Sequence, residues 1–436
     1  MRIILSIAFL FMLTTASAQL SADDVKTFTL GNGMKILVLE DHSIPNANMY
    51  IFYRVGSRNE HPGITGLSHF FEHMMFNGAK KFGPKMFDQT MEKNGGANNA
   101  YTTNDLTVYT NWFPSSALET IFDLEADRIS SLTIDPKMVE SERGVVLSER
   151  STGLENSPYR LLMQSVFATA FQESAYHWPV IGYEEDIKNW TKEDLEMYFK
   201  TYYAPNNAVM VISGDVSVGQ VKQLAQKYLD PIPAQPTPRK VHLQEPPQTG
   251  ERRFVVQKDI PTPVMAVGYH VPDAKHADYY ALDLMQRILA SGNSSRLNSV
   301  LVDQKQLLTF VRTSFGLSFD PSLLMIYGQL TQSADPKQLE DALFSELDRL
   351  AKEGVTPNEL EKVKNQTMME FYNEFSNING KSNTIGTYEV YLGDYRKLYD
   401  APKEYAKVTN EDVKRVASEY LKKSNRTVGY VQSKVD

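Results

Sequence analysis

The chain has 436 residues, no cysteine, 45 basic and 53 acidic side chains, and a formal charge of −8. This length allows two domains of ordinary size, each burying a full core without disulfides, and a chain lacking thiols cannot misoxidise on export. Long Lys/Arg blocks and basic-aromatic interleaving are both absent, which argues against a nucleic-acid partner; the acidic balance reads as a soluble surface.

Met1 and Arg2 lead into the apolar run IILSIAFLFML and then TTASA, where Ala16-Ser17-Ala18 has the small-x-small form of a signal-peptidase site. Residues 1–18 are therefore read as a signal peptide, with cleavage near Ala18 and export to the periplasm or the exterior; an uncleaved anchor is the other reading. No later segment approaches the ~20 apolar residues of a membrane span.

KILVLE (35–40) and NMYIFYRV (48–55) read as strands by their β-branched and aromatic content. The stretch SHFFEHMMFNG (68–78) reads as a helix. Leu67, Phe70, Phe71, Met74 and Met75 follow the i, i+3, i+4, i+7, i+8 pattern of a buried stripe. His69, Glu72 and His73 then cluster on the opposite face. Asp135-Pro136 supplies an N-cap and a first-turn proline for a helix running through Glu142 and Glu149, and Ser157-Pro158 opens another.

The Pro-rich stretch PIPAQPTPRKVHLQEPPQTG (231–250) cannot easily continue a helix or a central strand. It divides the chain into an N-terminal domain (19–230), a linker (231–251) and a C-terminal domain (252–436). RFVVQ (253–257) and VMAVGYHV (264–271) again read as strands. The halves are related: TKEDLEMYFKTYYAPNNAVMV aligns with TNEDVKRVASEYLKKSNRTVGY, matching Thr191 with Thr409, Asp194 with Asp412, Tyr202 with Tyr420 and Asn207 with Asn425. Near the start of each half, DHSIPNANMYIFYRV and QKDIPTPVMAVGYHV share Ile-Pro before a strand pattern at nearly the same offset. The expectation is an α+β fold of two homologous domains in tandem, each a mostly antiparallel sheet packed with helices.

Catalytic zinc sites use three protein ligands, nitrogen or oxygen, and leave a fourth position open. His69 and His73, four apart on one helical face, supply two. Glu72 lies one turn from His69, where a carboxylate can activate water, as the glutamate does in the reverse-order HExxH helix. A second helix must bring the third ligand; Glu149 follows the anchoring run VVL, and Glu142, two turns earlier on the same face, sits near the site as a supporting hydrogen-bond partner. The bland alternative is a histidine pair with ordinary hydrogen bonds, since HxxEH fixes three positions and arises by chance in about one such chain in a hundred. His177 in AYHWPVIG reads as a loop residue near the site, while His42, His61, His242, His270 and His276 have no metal-like spacing.

The sequence also resembles a known family. HFFEH (69–73), followed after 75 residues by Glu149 in ERGVVLSE, together with GSRNEHPGITGLSHFFEHMMFNG and NGGANNAYTTNDLTVYTNWFP, is similar to the inverted-motif zinc peptidases of the M16 family, which includes pitrilysin, insulin-degrading enzyme and mitochondrial processing peptidase. The resemblance covers essentially the whole chain after the leader. It implies the M16 peptidase-like (LuxS-metallohydrolase-like) fold and a zinc endopeptidase. His69, His73 and Glu149 would be ligands to one Zn2+ per chain, with Glu72 as general base and Glu142 in support. It also implies that Asn99, Ala100 and Thr102 lie on an edge strand to which an extended peptide adds; read alone, Asn-Gly-Gly and its neighbours form a plain turn and strand.

One departure matters. Four-repeat members close a chamber around the peptide and two-repeat members close it by dimerising, with an Arg and a Tyr commonly supplied as LRxxxxLxY. After SSRL this chain reads NSVLVDQKQLLTFV, with Val302 at the arginine position and Thr309 or Phe310 at the tyrosine position. The expected assembly is a heterodimer with a homologous chain that lacks HxxEH and brings Arg and Tyr; a homodimer is the alternative. A non-catalytic scaffold and a peptide binder without hydrolysis are the competing functions, and retention of all ligands and the base favours the enzyme.

Overall fold

The computed structural model describes residues 21–241 and 244–434. The expected leader, its cleavage point near Ala18 and His242 lie outside the described residues. Two sheets organise the chain. The first has six strands, β1 (Val25–Thr29), β2 (Lys35–Glu40), β3 (Asn46–Tyr53), β4 (Ala97–Thr102), β5 (Thr107–Pro114) and β6 (Ala208–Gly214), in the order β1-β2-β6-β3-β5-β4. The second contains β7 (Arg252–Gln257), β8 (Val264–Val271), β9 (Leu308–Ser314), β10 (Ser322–Leu330) and β11 (Arg426–Gln432), in the order β7-β11-β8-β10-β9.

The two sheets share one plan. β2 runs parallel to β6 and β7 parallel to β11; every other ladder is antiparallel. Only β1 lacks a counterpart among the described residues. The duplicated helix starts match as well: Thr191 and Thr409 each close a capping box, accepting from the amides of Asp194 and Asp412. The architecture is α+β with two homologous units.

β3 begins two residues before the expected strand. Asn46 and Asn48 break the apolar pattern, yet Asn48 is fully buried because its amide meets Asn379 and Ser382 of the second half. A polar strand residue becomes a core residue once a partner satisfies it.

Each sheet packs one face on its own half's helices and the other on a helix from the opposite half. Helix Ile378–Leu392 lays Ile385, Val390 and Tyr391 against Phe52, Val108, Val209 and Val211 of the first sheet. In return, helix Pro158–Ala170 lays Leu162, Val166 and Ala170 against Val264, Ala266, Leu323 and Met325 of the second. Each buried aliphatic chain contributes about 1.5–3 kcal/mol, so this exchange binds the halves strongly. The approach is close: a Cβ on Gly386 would lie 2.0 Å from Cε2 of Phe52. Arg58 reinforces the contact with two bonds to Asp320, of 2.5 and 2.9 Å. No helix among the described residues is long and apolar enough to cross a membrane.

Candidate metal centre

The HxxEH segment forms a helix over Leu67–Met74. Gly66 precedes it at φ +91, a conformation that favours glycine, and a Cβ there would lie 2.6 Å from the carbonyl of Ile181. The carboxylate of Glu60 caps the helix, accepting from the amides of Gly66 and Ser68 at 2.7 Å each. Leu67, Phe70, Phe71 and Met74 are buried as the periodicity expects. Phe71 stacks on Tyr198 and Phe70 meets Trp190, which sets the rotation of the helix about its axis. The face carrying His69, Glu72 and His73 is thereby turned toward the long helix Pro136–Asn156.

His69, His73 and Glu149 offer ligand atoms that all lie within 4.8 Å of one another. Nε2 of each histidine stands 3.6 Å from Oε2 of Glu149. That is too long for a hydrogen bond. It is close to the edge of a coordination tetrahedron, about 3.4 Å for ligand bonds near 2.1 Å. Nδ1 of His73 meets Oε1 of Glu142 at 2.8 Å, and Oε2 of Glu142 accepts from Asn77 at 2.7 Å. A donor hydrogen on Nδ1 leaves the Nε2 lone pair free to face Glu149. Burial, and then the neighbouring His73, push His69 down to about 4, so its ring is neutral and able to ligate at neutral pH. The donor set of two imidazoles and one carboxylate suits zinc.

Glu72 stands beside this trio. Its Oε2 accepts from Oγ1 of Thr102 at 2.6 Å, and burial raises its carboxyl above the usual range while Thr102 pulls it back. Thr102 ends β4, the edge of the first sheet, where Asn99 pairs with Thr110, Ala100 with Tyr109 and Thr102 with Thr107. Asn99 is exposed, and Ala100 and Thr102 are half-buried. The opposite side of β4 has no strand neighbour among the described residues.

Sequence reasoning missed the cavity beside these residues. It has a volume of about 640 Å³, opens next to His69 and Glu149, and is lined among others by Tyr159, Arg160, Met163, Phe167, Trp178 and Tyr327. Tyr159, Met163 and Phe167 recur every fourth residue on helix Pro158–Ala170, a signal that was legible. Tyr327 comes from β10 of the other half, which nothing local announces. Of the absent Arg/Tyr pair, Val302 lies in the helical turn Asn298–Gln304 and packs on the second core. Thr309 and Phe310 lie on β9, and the Phe310 ring is 5.6 Å from that of Tyr159. The remaining histidines have ordinary partners where described: His177 meets the carbonyl of Phe171, His42 the carboxylate of Asp215, His61 the carbonyl of Pro62 and His270 the carbonyl of Ala170. His276 approaches Asp278.

Comparison with known proteins gives consistent findings. Residues 35–183 match the family described as insulinase, peptidase family M16, and residues 189–367 match the peptidase M16 inactive domain. A zinc protease PqqE of Helicobacter pylori is 32% identical over 97% of this chain and 96% of its own length. The crystal structure of a protease from Helicobacter pylori superposes with a TM-score of 0.90 at 29% identity, covering 94% of this chain and 99% of that one. The periplasmic protease PqqL from Escherichia coli shares the fold with a TM-score of 0.78 at 18% identity, covering 94% of this chain but 48% of that one.

Proposed function

The chain belongs to peptidase family M16, and from that premise we propose that it is a zinc-dependent endopeptidase that cleaves peptides or unfolded segments bound as an added strand. The observation that carries the reading is the convergence of His69, His73 and Glu149, with Oε2 of Glu149 3.6 Å from each histidine Nε2 and all three ligand atoms within 4.8 Å of one another, and with Glu72 beside them held by Thr102 at the end of an edge strand. His69, His73 and Glu149 would hold one zinc ion per chain, which when bound polarises water and the scissile carbonyl. Glu142 orients His73. Glu72 takes the proton of the attacking water and returns it to the departing amine, and Thr102 keeps its carboxylate aimed. Asn99, Ala100 and Thr102 pair with the peptide main chain, a largely sequence-blind mode of binding, while the neighbouring cavity receives a side chain.

The domain division at 231–251 stands as part of the same reading. The missing Arg and Tyr at Val302 and Thr309 or Phe310 support a second M16 chain that lacks HxxEH and closes the chamber as a heterodimer. The match to 48% of the PqqL chain supports a second unit of this fold facing the first. The apolar leader ending at Ala18 supports export, to the periplasm where the cell has one.

The test is zinc content and hydrolysis of a quenched-fluorescent peptide mixture, for the chain alone and mixed with a homologue lacking HxxEH. One zinc per chain with hydrolysis only in the mixture is expected. Hydrolysis by the chain alone as a dimer would replace the heterodimer with a homodimer, and a chain without zinc would leave a scaffold or a simple peptide binder.

A further inference from the structure

The duplication extends to the metal cradle itself. The helix after β8, Tyr279–Ala290, occupies the place in the second half that Leu67–Met74 occupies after β3. Superimposing the buried stripes, Leu67, Phe70, Phe71 and Met74 on Ala281, Leu284, Met285 and Ile288, puts Asp283, Gln286 and Arg287 at the positions of His69, Glu72 and His73. HxxEH becomes DxxQR.

Tertiary contacts repeat too. Thr102 of edge strand β4 donates to Glu72 at 2.6 Å; Thr313 of edge strand β9 donates to the side-chain oxygen of Gln286 at 2.5 Å. Glu149 comes to the histidines from the long helix Pro136–Asn156, and Glu370 comes to Arg287 from its counterpart Pro357–Glu374, where the two side chains are ion-paired. Arg287 Nε also donates to Asp283 at 3.1 Å, and the same oxygen of Asp283 accepts from Tyr405 at 2.7 Å. Three side chains from two helices converge here as the three donors do in the first half, but one of them is a cation.

We propose that the second half holds a latent metal cradle, closed by the guanidinium of Arg287, which stands in for the ion between Asp283 and Glu370. Arginine keeps its charge at all working pH values and offers only donors, so it repels a divalent cation and presents no lone pair to it. It also satisfies both carboxylates, so neither is left seeking a counter-ion. Replacing it with histidine removes the permanent charge and releases Glu370 and Asp283 from the guanidinium, Asp283 still accepting from Gln286 at 3.0 Å and from Tyr405 at 2.7 Å, and supplies an imidazole, a nitrogen-and-carboxylate set that zinc accepts. Gln286, in place of the base, cannot take a proton from water, so zinc bound there remains hydrolytically inert. The consequence is that a chain with two copies of the cradle binds one ion.

The inference rests on the reading of His69, His73 and Glu149 as ligands, and the experiment separates the two. Zinc per chain is measured by atomic emission after saturation with zinc and gel filtration, with circular dichroism checking the fold, for the wild type, Arg287→His and Asp283→His/Arg287→His. The expected values are one, two and two, and Arg287→His in a His69→Ala/His73→Ala background should retain one. Should Arg287→His misfold, the double variant, which rebuilds the His, His, Glu set, decides. A wild type with two zinc ions, or folded variants that gain none over the wild type, would overturn the latent cradle. A wild type with no zinc would sink the functional reading, whereas a gain of one ion on Arg287→His would still support the latent cradle.

Discussion

Replacing Glu142 probes the centre without touching a proposed ligand. Its Oε1 lies 2.8 Å from Nδ1 of His73, and its own orientation depends on Asn77. A hydrogen bond to a charged group is worth roughly 1.5–3 kcal/mol. The His73 side chain is 23% exposed, so water replaces part of the lost bond. The expected cost of Glu142→Leu is about 1.4–2.7 kcal/mol of zinc affinity, roughly 10- to 100-fold, the range found when a partner of a ligating histidine is removed. Glu142→Gln keeps an acceptor oxygen for Nδ1 and should lose about 10-fold. Competition with a chromophoric chelator measures both, with circular dichroism confirming an intact fold. If the leucine variant binds zinc as tightly as the wild type, Glu142 does not orient His73 and the argument from its 2.8 Å contact is wrong.

Other outcomes rest on the same geometry. Glu72→Gln should lower peptide hydrolysis by about 10²–10⁴-fold with zinc content intact, and unchanged turnover would remove Glu72 from the mechanism. Thr102→Val deletes the 2.6 Å bond to Glu72 and should lower kcat by about 10-fold; a change confined to KM would make Thr102 a peptide-binding residue only. Gly386→Ala drives a methyl into Phe52 and should cost about 1–3 kcal/mol, read as a lower urea midpoint with loss of contact between the halves. Asp105, buried under Tyr176 and Phe319, is pushed up by that burial from 3.8 to about 6, although Tyr176, the Phe319 amide and Arg58 pull it back. Its proton is held more tightly in the folded chain, so the stabilisation is full below pH 3.8 and is lost as pH rises through about 6. The shift corresponds to roughly 3 kcal/mol, so between about pH 4 and 7 the wild type should lose stability relative to Asp105→Asn; parallel urea midpoints for the two would refute it.

The local parts of this molecule were legible because helix and strand periods repeat over a few residues. Spacing alone turned His69, Glu72 and His73 away from the stripe of Leu67, Phe70, Phe71 and Met74, and Asp135-Pro136 and Ser157-Pro158 opened helices where expected. β3 reaches back to Asn46 because Asn46 and Ala47 pair with Pro114 and Phe113 of β5, a partnership that no local pattern encodes. The DxxQR counterpart is hidden in the sequence because Asp283, Gln286 and Arg287 share no residue type with His69, Glu72 and His73, and only the matched burial and the Thr313 and Glu370 contacts point to it.

Sequence by itself determined the duplication, the α+β class and the HxxEH helix with its two outward histidines, because each is encoded by spacing within one element or by text repeated between halves. Tertiary structure alone decided that Oε2 of Glu149 lies 3.6 Å from both rings, that Thr102 reaches Glu72, and that Tyr159 and Tyr327 share one cavity. Those groups are brought together by packing between helices and sheets far apart in the chain, and the angle and depth of that packing depend on every buried side chain at once.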